Sequence, residues 1–108
     1  MSAPQPAATS LADVQQVIRA LYYDKDRARG VEGTYMWFSA EVGELAEALR
    51  NGSHADREGE FADVLAWLAT LANLANVDLA AAFRRKYALG CPGCGSLSAC
   101  QCAATGKP

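Results

Sequence analysis

The sequence has no apolar run near the roughly 20 residues that cross a bilayer. Its opening stretch, Met1 to Thr9, carries neither the basic nor the apolar segment of a secretory signal. No membrane span is expected, and the cytoplasm is the expected location. Basic side chains are not in excess: ten Lys and Arg stand against twelve Asp and Glu, a net charge of −2. That argues against a surface for nucleic-acid polymers. No stretch alternates with period two for long enough to make a strand, so the expected fold class is all-α. Histidine is limited to His54, which follows the Asn51–Gly52–Ser53 stop and reads as a turn residue on the surface. A di-iron bundle, which wants Glu-x-x-His on two helices, is thereby disfavoured. Cysteine is missing until the last 18 residues, which hold all four.

With 108 residues, about half of them apolar, the chain holds one domain with a small core. Residues 1–9 read as an Ala/Pro-rich leader, 10–90 as the folded domain and 91–108 as a Cys-rich tail. Ser10 with Asp13 forms a capping-box pattern, and Leu11, Val14, Val17, Ile18 and Leu21 recur at helical spacing to about Asp24. Asp24 to Gly30 is a charged, Gly-ended connector. It reads as a solvated loop, or else as a flexible basic segment able to close over phosphates. Thr34 is a plausible N-cap for a second helix to about Arg50. Ser53 with Asp56 caps a third helix to about Ala75, and Asp78 caps a short fourth to about Tyr87, ended by Gly90. The expected architecture is a four-helix bundle built on an antiparallel helix hairpin.

Two acid pairs stand out, Glu41–Val42–Gly43–Glu44 and Glu60–Phe61–Ala62–Asp63. A spacing of three puts both members of a pair on one helix face. Glu41 and Glu44 flank an apolar stripe of Tyr35, Phe38, Val42, Leu45 and Leu49. Glu60 and Asp63 flank Phe61, Val64, Leu68 and Leu71. Packing the stripes together as a hairpin brings four carboxylates to one pocket. Each pair alone is compatible with ordinary solvated helix acids, but four converging acids raise one another's pKa values. Bound divalent cations remove that penalty, and Mg²⁺ is the hard ion that takes carboxylates together with substrate phosphates.

Trp37 lies one turn before Glu41 and Trp67 one turn after Asp63. Each is either core or a wall on which a nucleobase stacks. The tail reads Cys91–Pro92–Gly93–Cys94 and then Cys100–Gln101–Cys102, a spacing that fits a tetrahedral Cys₄ Zn²⁺ site. A redox pair and an unstructured thiol-bearing tail are the alternatives.

Trp37 to Leu49 resembles the first motif of the MazG-type nucleoside triphosphate pyrophosphohydrolases, and Glu60 to Leu68 resembles their second motif, E-x-x-D. The family pattern is E-E-x-x-E followed, after a gap, by E-x-x-D; here the gap is the fifteen residues between Glu44 and Glu60. Val77–Asp78–Leu79 and Lys86 resemble its short last helix. The resemblance spans about residues 11–90. It implies an all-α homodimer or homotetramer that uses Mg²⁺ to cleave nucleoside triphosphates into nucleoside monophosphate and pyrophosphate, in nucleotide-pool housecleaning. It further implies that Glu41, Glu44, Glu60 and Asp63 are the catalytic metal ligands, that Lys86 contacts phosphate and that Trp37 lies near the base. The sequence departs from the pattern at Ala40, where the first glutamate of E-E-x-x-E stands in relatives, and at Gly90, where some relatives have asparagine. The cysteine tail replaces the basic ending common in relatives. An alternative reading is therefore a catalytically impaired helical interaction module with a zinc-stabilised tail.

Overall fold

The computed structural model describes residues 9–103, so all of the expected leader but Thr9, and residues 104–108 of the tail, lie outside it. Ser10 starts the first helix, α1 (Leu11–Asn51): its Oγ accepts the Asp13 N–H and the Asp13 carboxylate accepts the Ser10 N–H, each at 3.0 Å. Ser53 and Asp56 repeat this reciprocal pair to start α2 (His54–Leu74). The Ser53 amide and hydroxyl hold the Asp56 carboxyl below its usual range. Asp78 caps α3 (Leu79–Tyr87), its carboxylate accepting the Ala81 N–H. Between α2 and α3 the chain turns on Asn76, at φ 58°, a left-handed position asparagine tolerates. The Val77 N–H returns to the Ala72 carbonyl at 2.8 Å and the Asn76 N–H to that of Asn73 at 3.3 Å, closing a Schellman turn.

Among the described residues there are three helical elements and no strand, the first of them two helical arms joined directly at Gly30 where two helices separated by a loop were expected. The first two expected helices are one element of 41 residues, broken only at Gly30. Straight, it would run about 60 Å, yet the longest dimension of the molecule is 47 Å. Gly30 supplies the change of direction, with φ 85° and ψ 169°, a backbone region essentially closed to residues with a Cβ. The expected solvated connector is thus corrected, because Asp24 to Arg29 are helical.

The reason lies in Asp26, only 3 % exposed. Its carboxylate accepts from Thr70 Oγ1 on α2 and from Arg29 Nη1, both at 3.0 Å. Arg29 Nη1 also reaches Thr34 Oγ1 at 3.3 Å, tying the two arms of α1 together across the break. Thr34, expected as an N-cap, lies instead within the helix past the Gly30 break and is completely buried.

The arms of α1 pack on α2 in antiparallel order. Glu41 meets Glu60 and Asp63, Trp37 meets Trp67, Asp26 meets Thr70 and Gln15 meets Asn73. Gln15 is the far clasp: its Nε2 donates to Asn73 Oδ1 and the Val77 carbonyl, and its Oε1 accepts the Leu79 N–H at 2.7 Å. This fixes α3 to the base of the hairpin. Among the described apolar residues, only the small Ala48, Ala69 and Ala72 are buried. The expected burial of the two large apolar stripes is corrected in part: Tyr35, Val42, Leu49, Phe61 and Leu68 remain exposed, while Phe38, Leu45, Val64 and Leu71 are half-buried. Small side chains let the helices approach closely, and the large ones are left beside the seam. No single helix among the described residues is long and apolar enough to cross a membrane.

Candidate functional site

Where the second arm of α1 faces the first half of α2, carboxylate oxygens of Glu41, Glu60 and Asp63 lie within 4.8 Å of one another. Helical spacing sets Glu60 and Asp63 on one face of α2, and the antiparallel pairing carries Glu41 across to them. Glu41 and Glu60 are half-buried, while Asp63 is exposed. Glu41 Oε2 and Glu60 Oε2 are both inaccessible to water, and neither has a hydrogen-bond partner. A buried carboxylate oxygen without a donor is costly. Burial, followed by the charge of Glu44, raises the pKa of both Glu41 and Glu60, and Asp63 adds to each shift.

Glu44 is exposed and stands outside this close trio. It lines a neighbouring cavity of about 400 Å³ with Glu47, Ala48, Asn51, Gly52, Asp56 and Glu60. Trp37 stacks on Trp67 with ring centroids 6.0 Å apart and planes 14° from parallel. The Arg29 guanidinium lies 4.8 Å from the Trp67 ring centre. Lys86 is exposed on the last turn of α3, its Nζ 5.7 Å from the Tyr87 ring centre, and makes no ion pair among the described residues. Ala40 is exposed and supplies no carboxylate.

Beside Asp63 opens a cavity of about 260 Å³ whose further walls include Tyr22, Lys25, Asp26, Arg29, Trp67 and Thr70. Of these, the sequence alone points to Trp67 as a base wall, and to Lys25, Asp26 and Arg29 only as members of a connector able to close over phosphates. A signal for the rest was present: Ile18, Tyr22, Lys25, Asp26 and Arg29 recur at offsets of three and four, one continuous helix face. An apolar count misses that face because its later members are charged.

The four cysteines form a second cluster, with all sulfurs within 4.8 Å of one another. Hydrogen bonding by Ser96 and by the Gln101 N–H pulls the Cys94 thiol down to about 5. Sharing with Cys100 and Cys91 pushes Cys102 up to about 12.

The MazG nucleotide pyrophosphohydrolase domain matches residues 29–88, more than half of the chain. The chain belongs to this family. No curated protein matches it. The MazG match holds all four candidate acids, both tryptophans, Arg29 and Lys86. It leaves out the arm of α1 that carries Tyr22 and Lys25, and the cysteine tail.

Proposed function

We infer that this MazG-family chain hydrolyses nucleoside triphosphates to nucleoside monophosphate and pyrophosphate, with Mg²⁺ held by Glu41, Glu60 and Asp63 and assisted by Glu44. The observation that carries this reading is the pair of buried, unpartnered carboxylate oxygens on Glu41 and Glu60, two residues whose carboxylates come within 4.8 Å of each other. A hard divalent cation suits an all-oxygen donor set of this kind, and it relieves the repulsion that raises both pKa values. When bound, Mg²⁺ offsets the charge of a triphosphate and polarises its phosphoryl groups.

The chain's own side chains then position the substrate. The cavity next to Asp63 offers the faces of Trp67 and Tyr22 to a base and the Lys25 ammonium to phosphate. Lys25 makes no ion pair among the described residues, whereas Arg29 is held by Asp26. Lys86 is a second phosphate contact in this reading, and Trp37 backs the Trp67 wall. The exposed Tyr35, Val42, Leu49, Phe61 and Leu68 support a homodimer or homotetramer, since apolar surface this extensive favours a partner.

Pyrophosphate release from a panel of canonical and modified nucleoside triphosphates, with and without Mg²⁺, tests the function. The expected result is monophosphate and pyrophosphate in equal amounts, only with the metal. Release of orthophosphate, or of nothing across the panel, overturns it. The second reading, a catalytically impaired interaction module, draws on Ala40, which removes one acid of the family pattern. Binding of a triphosphate without turnover would favour it.

A further inference from the structure

The four cysteines lie beyond residues 29–88, outside the MazG match and apart from the acidic trio. The segment folds back so that Cys91 Sγ stands 3.6 Å from Cys100 Sγ and 3.8 Å from Cys102 Sγ, and Cys94 Sγ stands 4.0 Å from Cys100 Sγ. All four thiols are free, and these separations are nearly twice the roughly 2.05 Å of a disulfide bond. Four sulfurs placed tetrahedrally around Zn²⁺ at about 2.3 Å are about 3.8 Å apart along each edge. The three separations bracket that value.

The backbone is arranged for negative sulfur. The Gly93 N–H donates to Cys91 Sγ at 3.4 Å, the Gln101 N–H to Cys94 Sγ at 3.2 Å and the Cys102 N–H to Cys100 Sγ at 3.3 Å. Donors of this kind steady thiolate ligands and fix their directions. A tight loop closes the first pair: the Cys91 N–H donates to the Ser96 carbonyl at 2.8 Å, and the Gly95 N–H to that of Cys91 at 2.7 Å. Gly90 permits this approach, with φ 101° and no side chain where a Cβ would stand 2.5 Å from the Ser96 oxygen. No apolar side chain of the segment is buried. The segment contains no helix or strand, and Leu97 is 82 % exposed.

We propose that Cys91, Cys94, Cys100 and Cys102 bind one Zn²⁺ as a closed structural site that orders residues 90–102. A four-thiolate set selects a soft-accepting ion such as Zn²⁺ over Mg²⁺, so this site and the carboxylate trio take different metals. Four protein ligands leave no open position for water or phosphate. The tail is therefore a folding unit stabilised by its metal and takes no part in hydrolysis.

Elemental analysis of the full chain, purified in reductant without chelator, should give about one zinc per chain. Cobalt in its place should give the visible bands of tetrahedral cobalt–thiolate coordination. Cys94→Ser and Cys102→Ser should each lose the metal, Gly90→Ala should weaken it, and Glu41→Gln should retain it in full. These readouts do not depend on catalysis, so failure here is separate from failure of the proposed hydrolysis. Absence of zinc with all four thiols reacting at once overturns the proposal. So does zinc that persists in a Cys94→Ser, Cys102→Ser double variant, or recovery of the cysteines as disulfides under reductant.

Discussion

Glu41 concentrates the energetics of the acidic site in one residue. Its Oε2 is buried and unpartnered, and burial together with Glu44 raises its pKa. A raised acid favours the fold when protonated; that contribution fades as pH climbs through the raised value. In chelator, the melting temperature should rise as pH is lowered from neutral toward the ordinary carboxylate range, and Glu41→Gln should flatten that rise. The same variant should lower kcat/KM by at least about a hundredfold, as removal of one preorganised electrostatic contact does. Full activity in Glu41→Gln would remove it from the metal site. Lys86 makes a sharper case, because it is exposed and makes no ion pair among the described residues. If it contacts phosphate, Lys86→Ala should lower kcat/KM by about tenfold to a thousandfold. Steady-state kinetics on the best substrate decide it, and unchanged values leave Lys86 a helix-end cation favoured only by the dipole.

At the scale of elements, α1 is the unusual member. Its two arms meet at Gly30 with no loop between them, and Arg29 bridges Asp26 and Thr34 across the break. The bend lets one arm carry Glu41 to α2 while the other lays Tyr22, Lys25 and Asp26 along the cavity beside Asp63. Gly30 has open space where a Cβ would go, so an alanine there meets no clash and suffers only from the backbone angle. Gly30→Ala should therefore cost about 1–3 kcal/mol, read from the urea midpoint. It should also impair substrate binding by moving the Lys25 arm. Unaltered stability would mean that the bend is not held at φ 85°.

For the whole molecule, the imbalance is between a core of alanines and a surface of large apolar side chains. Trp37 is 55 % exposed and Phe61 54 %, and the polar links of Asp26 to Thr70, buried, and of Gln15 to Asn73, half-buried, add only modestly to stability. A chain this small with so little buried apolar volume gains stability by association. Sedimentation at micromolar concentration should give a dimer or larger assembly, and Phe61→Ser with Leu68→Ser should shift it toward monomer. A monomer in the wild-type chain would leave this surface without a partner and count against association.

Much of this was legible along the chain because it depends on near neighbours. The caps at Ser10, Ser53 and Asp78 sit within three residues of their partners, and the spacing of Glu60 and Asp63 needs only helical geometry. The all-α class followed from the same periodicity. Long-range contact decided the rest. Asp26 reads as a loop charge until Thr70, 44 residues away, buries it and keeps Asp24 to Arg29 helical. Tyr35 and Phe61 read as core until the helices close on Ala48, Ala69 and Ala72 instead. The two acid motifs each occupy one helix turn, but the unpartnered oxygens of Glu41 and Glu60 exist only because α1 and α2 bury them against each other. Local sequence sets which residues share a helix face; only the packing of distant faces sets which of them lose their water.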